Sequence, residues 1–126
     1  MLTHTAVDLL AVDRHGADGA VWSLPRGGDL DANLVRLAPG AAVGAHVNEE
    51  VDVLLIGVNG AGSVTVNDAR YELRTGTIVA VPKDTRRHIA AEAASELLYL
   101  TVHLARPGLR IQPDLATRRQ RAQEER

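Results

Sequence analysis

The chain has 126 residues, 45% hydrophobic and 24% charged, with 14 basic against 16 acidic side chains and a formal net charge of −2. That length suits one domain with one core, the composition excludes global disorder, and the near-balance of charge gives no general field to draw nucleic acid or an anionic membrane. Without cysteine there are no disulfides and no thiolate chemistry, so a transition metal would have to be held by His, Asp, Glu or Asn, and a cytoplasmic location is expected.

The first residues, MLTHTAVDLLAVDRHG, carry acidic groups and no apolar run of signal-peptide or membrane-spanning length, so neither export nor insertion is expected. With no Phe, one Trp and two Tyr, the core must be built from Val, Leu, Ile and Ala, a palette that favours strands. Residues 19–25 read as a strand closed by Pro25 and the turn Arg26-Gly27-Gly28-Asp29, and residues 31–40 as a second closed by Pro39-Gly40. Residues 51–58 form a third apolar run. Asn59-Gly60-Ala61-Gly62 then predicts a hairpin turn, from which residues 63–66 return. Asn67-Asp68 makes the next tight turn, residues 69–73 a short strand, and Thr75-Gly76 leads into residues 77–81, stopped by Pro82. The last long run, residues 96–104, ends before Arg106-Pro107-Gly108. Residues 113–126 have helix formers without an apolar face and read as a solvated tail, its Arg118, Arg119 and Arg121 diluted by Glu124 and Glu125. Short strands at this spacing remove their edges by rolling into a barrel or jelly roll, which predicts an all-β fold.

Two stretches carry a family resemblance. Gly40 followed by five residues and His46, then Asn48, Asp52 and Gly60, resembles the first cupin motif, G(X)5HXH(X)3–4E(X)6G. Gly76 followed by five residues and Pro82, then Asp84, Arg87 and His88, resembles the second, G(X)5PXG(X)2H(X)3N. The resemblance implies a cupin jelly-roll (double-stranded β-helix) barrel over residues 1–112, a small-molecule ligand inside it, and a homodimer. The departures are specific. Asn48 stands for the second His, Asp52 for the Glu, Asp84 for the Gly after Pro82, and Arg87 for the last His, with His88 one step late. A one-residue slip on a strand reverses the face, so His88 points away if Arg87 points in.

Family members that bind a metal use three His and one Glu to hold Fe, Mn, Ni, Zn or another divalent ion. On a regular strand, His46, Asn48, Glu50 and Asp52 share one face and would form a polar stripe inside the barrel. Burying such groups is costly unless they are paired or bind something, so the stripe predicts a wet or ligand-filled interior. His46 and Asp52 are the candidates for proton transfer. Asn48, Glu50, Arg87, Tyr99 and Thr101 are the candidates for ligand contact, with Arg87 suited to a carboxylate, enolate or phosphate. His46, Asp52 and His103 form the candidate metal set, to which His88 is added only if the register shifts. Each has a plainer reading: a hydrogen-bonded barrel-end His for His46, a surface or barrel-end His for His103, a strand-end contact for Asn48 and Glu50, a partner to the His46 imidazole for Asp52, an exposed turn for Arg87 and a surface position for His88. Two functions are left open, a binding protein for a small polar or acidic molecule, and a metal-dependent isomerase, cyclase or dioxygenase.

Overall fold

In the computed structural model, which describes residues 2–14 and 16–105, the alternating apolar runs form strands β1 (Gly19–Ser23), β2 (Leu30–Leu37), β3 (Ala42–Val47), β4 (Val53–Val66), β5 (Ala69–Arg74), β6 (Ile78–Val81), β7 (Arg86–Ala91) and β8 (Leu97–Leu104). Every pairing is antiparallel. One sheet runs β1-β2-β8-β4-β6 and the other β3-β7-β4-β5. The all-β jelly-roll expectation holds. The expected tail, residues 113–126, lies outside the described residues.

The two sheets share β4, and here the sequence reading is corrected. Asn59-Gly60-Ala61-Gly62 is not a hairpin turn. Val53–Val66 is one continuous strand that pairs with β6 and β8 in its first half and with β5 and β7 in its second. A bulge between Gly57 and Asn59 bends it from one sheet into the other, and Gly60 takes φ +78° at the corner. Three glycines let other strands cross at backbone distance. A Cβ at Gly57 would lie 1.8 Å from the Arg74 carbonyl oxygen, one at Gly60 1.8 Å from that of Glu96, and one at Gly62 2.3 Å from that of Ala90. The turn-forming composition therefore serves close packing at a corner rather than chain reversal.

β3 and β7 are strands that the apolar pattern does not announce, since one contains Gly44 and the other opens with Arg86, Arg87 and His88. They pair with each other, and β7 turns Arg87, Ile89 and Ala91 inward. Asn67, at φ 52°, makes the expected tight turn, and Asp84, at φ 66°, takes the left-handed conformation at the position where the motif has glycine.

Between the sheets lies an aliphatic core that includes Val35, Leu55, Val64, Leu73, Ile89 and Leu97, with Tyr99 as its aromatic member. The opposite face of the β1-β2-β8-β4-β6 sheet is also partly covered. Leu34 and Leu98 point outward by strand alternation yet are fully buried. The N-terminal segment lies on this side. Its single 3₁₀ turn, Leu9–Ala11, sits against β4, and the Leu2 side chain approaches Gly28. Arg36, on the same outer face, donates to the Gly16 carbonyl at 2.9 Å and to Glu96 at 2.7 Å, while Arg14 approaches Glu96 at 3.6 Å and Asp18 accepts from the Ala38 amide at 2.7 Å.

Because the corner depends on backbone contact, Gly57→Ala is expected to destabilise the fold by about 3 kcal/mol or more. Gly44→Ala, with nothing within 4 Å of an added Cβ, is expected to stay within about 0.5 kcal/mol of the parent. Chemical denaturation measures both, and equal losses would overturn the corner assignment.

Candidate functional site

The site is built where β3 and β7 face each other. His46 lies directly opposite Arg87 in the ladder, and cross-strand partners share a face. Arg87 is 2% exposed, so both look into the barrel. Its neighbour His88, half-buried opposite Thr65, belongs to the other face. No bulge falls within β7's pairing to β4, so His88 does not enter the interior. His46 Nδ1 donates to the Gly44 carbonyl at 3.1 Å.

After β3 the chain bends, and Asn48 makes the bend. Its Oδ1 accepts from the Glu50 amide at 3.0 Å and the Val51 amide at 3.4 Å, while its own carbonyl accepts from the Asp84 amide at 2.7 Å. This side-chain turn shifts the phase of the chain. Val51 and Val53 become the buried residues, and Asp52 falls outside. The predicted stripe is therefore corrected. His46, Asn48 and Glu50 carry buried polar atoms, but exposed Asp52 is occupied in accepting the Lys83 amide at 2.8 Å.

From the other sheet, β8 contributes Tyr99, Thr101 and His103, all on the inner face at 0%, 5% and 6% exposure. The alternation read from the sequence holds here. Thr101 Oγ1 donates to the Asn33 carbonyl at 3.4 Å, and His103 Nδ1 to the Leu104 carbonyl at 2.8 Å. His46, Glu50, Arg87 and His103 all engage in further polar or electrostatic contacts. The Tyr99 Oη and Asn48 Nδ2 atoms are buried without a hydrogen-bond partner among the described residues.

Burial dominates the electrostatics. It pushes the Tyr99 phenol well above its ordinary range, against the opposing pull of the Arg87 charge, and it lowers Arg87, with Tyr99 acting in the contrary sense. Tyr99 is therefore held as a neutral hydrogen-bond donor near a guanidinium.

These residues do not fit a cupin-type metal. Among the described residues no three His, Asp or Glu side chains gather as a metal site requires, so His46, Asp52 and His103 do not form a ligand set. Asp52 faces outward, and the residue opposite His46 is a buried cation that would repel a divalent ion.

A groove of about 520 Å³ takes its lining from both faces of the β1-β2-β8-β4-β6 sheet, Leu54, Ala80, Val102 and Leu104 from the outer one and Val53, Val81 and His103 from the inner one, together with Glu50 and Asp52. Leu30, Leu54, Ile78 and Leu104 are large apolar side chains left 40–61% exposed on this one sheet.

Comparison with known proteins agrees with this architecture. The TT1209 protein of Thermus thermophilus is similar at 26% identity, with 81% of this chain and 98% of that one aligned and a TM-score of 0.69. A Bacillus halodurans protein aligns over 79% of this chain and 80% of its own at 17% identity and a TM-score of 0.69. A cupin protein from Bacteroides fragilis aligns over 70% and 75% at 20% identity and a TM-score of 0.58. No curated protein sequence matches significantly. A family model described as the cupin domain matches residues 33–103, more than half of the chain, from β2 through β8. The chain belongs to the cupin family.

Proposed function

We propose that this protein binds a small acidic molecule inside its barrel, with Arg87 as the anchoring group and without a bound metal. The observation that carries this reading is a guanidinium 2% exposed in the barrel interior, opposite His46. A buried arginine offers a planar, permanently charged fork that suits a carboxylate. Asn48, Tyr99 and Thr101 contribute buried polar groups to the same interior. Asp52, exposed and accepting the Lys83 amide, takes no part in this reading. The second sequence reading, a metal-dependent isomerase, cyclase or dioxygenase, gains no support from the donor set.

A homodimer belongs to the same proposal. Leu30, Leu54, Ile78 and Leu104 are exposed apolar side chains on one sheet, and a second copy covering them would remove that surface from water. The lack of cysteine suits a reducing cytoplasm, and no helix among the described residues is long and apolar enough to cross a membrane.

Binding of small carboxylic acids measured by calorimetry is expected to persist in EDTA and to fall about tenfold or more in Arg87→Gln, the variant's fold being checked by circular dichroism. Loss of binding in EDTA, or full affinity in a folded Arg87→Gln protein, would refute the metal-free, arginine-anchored reading. Light scattering coupled to size exclusion is expected to show a dimer for the parent and a monomer for Leu54→Lys; a monomeric parent would remove the homodimer.

Tyr99 gives a pH signature. Its folded value lies above the ordinary phenol value of about 10, so its contribution is fully present below that pH and is lost as pH rises beyond it. Relative to Tyr99→Phe, parent stability is expected to be level between pH 7 and 9 and then to fall by up to about 1.4 kcal/mol per pH unit above pH 10. Urea unfolding across this range measures it, and parallel curves for the two proteins would contradict the burial assigned to Tyr99.

A further inference from the structure

Residues 2–14 run along the outer face of the β1-β2-β8-β4-β6 sheet as a strap. Leu2 approaches Gly28, beside Leu30 at one end of β2, and Arg14 reaches Glu96, beside the Leu37–Leu97 pair at the other. On this side Leu34 and Leu98 are fully buried, and Leu9 and Val12 are half-buried members of the strap. Its attachment is thin. The Leu10 and Ala11 amides donate to the Asp8 side chain and carbonyl at 3.1 and 3.0 Å, and the Thr5 hydroxyl donates to the Thr3 carbonyl at 3.0 Å. Among the described residues no hydrogen bond joins residues 2–12 to a strand. A segment held in this way opens at little free-energy cost.

The strap nevertheless leaves apolar groups in water. Of the nine large apolar side chains exposed among the described residues, seven belong to the strap or to the outer face of this sheet, while Val47 and Tyr71 belong to the other sheet. Leu2, Val7 and Leu10 are the three on the strap, at 39%, 39% and 59% exposure. Exposed apolar residues scattered singly are ordinary, but their concentration on one side marks a surface that something covers. A standard interface draws about 20–30 residues from each partner, more than the exposed end of one sheet supplies.

Resting on the reading that the protein is a homodimer through this face, we infer that the second copy seats on the strap as well as on the sheet, making Leu2, Val7 and Leu10 interface residues. Dimerisation then pins residues 2–14 between their own sheet and the partner copy. Docking of the strap and association of the two copies are coupled, so that what weakens one weakens the other.

Sedimentation equilibrium of the full chain beside Leu10→Ser, Leu54→Lys and Tyr71→Ser tests this, with the fold of each checked by circular dichroism. Leu10→Ser is expected to raise the dimer dissociation constant about tenfold or more, because in a twofold dimer the lost apolar contact counts twice. Leu54→Lys is expected to be a monomer, and Tyr71→Ser, on the other sheet, to stay within about twofold of the parent. Hydrogen exchange read by mass spectrometry needs no variant: in the parent, peptides within residues 2–12 are expected to exchange about tenfold more slowly above the dimer dissociation constant than below it. Unchanged dimerisation of folded Leu10→Ser, strap exchange independent of protein concentration, or an equal loss in Tyr71→Ser would each overturn the inference, while a dimeric parent and a monomeric Leu54→Lys would keep the homodimer reading. A monomeric parent would overturn both.

Discussion

Everything in this molecule is arranged around one strand that belongs to two sheets. β4 can do this only because, at Gly57, Gly60 and Gly62, carbonyl oxygens of other strands occupy the space where side chains would begin. An ordinary strand pair keeps its backbones about 4.8 Å apart within a sheet, with packed sheets about 10 Å apart. At this corner the separation between layers collapses to backbone contact, which closes the barrel at one side and fixes how far apart the two inner faces stand elsewhere. The depth available to Tyr99 from one sheet and Arg87 from the other follows from that closure.

Much of this was legible in the sequence. Alternation located β1, β2, β5, β6 and β8 to within a few residues, and the glycine and proline spacing around His46 and Pro82 announced the family. What misled was that Asn-Gly-Ala-Gly signals two different things: freedom to turn, and absence of a side chain. Local sequence cannot distinguish them, because the strands that cross at Gly57, Gly60 and Gly62 come from well further along the chain. β3 and β7 were obscured for a related reason. Each presents one thin apolar row, and only their mutual pairing makes them strands.

The site was read in part. The one-residue offset of His88 correctly implied that Arg87 and His88 occupy opposite faces, and the inward row Tyr99, Thr101, His103 followed from alternation. A regular strand across residues 46–52 would place Asp52 in the interior. The Asn48 side chain breaks that regularity by capturing two amides. Asn48 reads from the sequence as a ligand-contact residue, whereas its oxygen accepts from two backbone amides and its nitrogen is buried without a hydrogen-bond partner among the described residues. The two ends of one amide are thus differently engaged.

That division of labour has an evolutionary consequence. A family member that placed a coordinating imidazole at position 48 would lose the short amide oxygen that sets the phase of the residues after it, and with it the arrangement that keeps Val51 and Val53 in the core and Asp52 outside. Replacing Asn48 therefore alters which way several later side chains point, not merely what sits at one position. Gaining a metal-holding set would thus require change at the turn, at Asp52 and opposite His46 together.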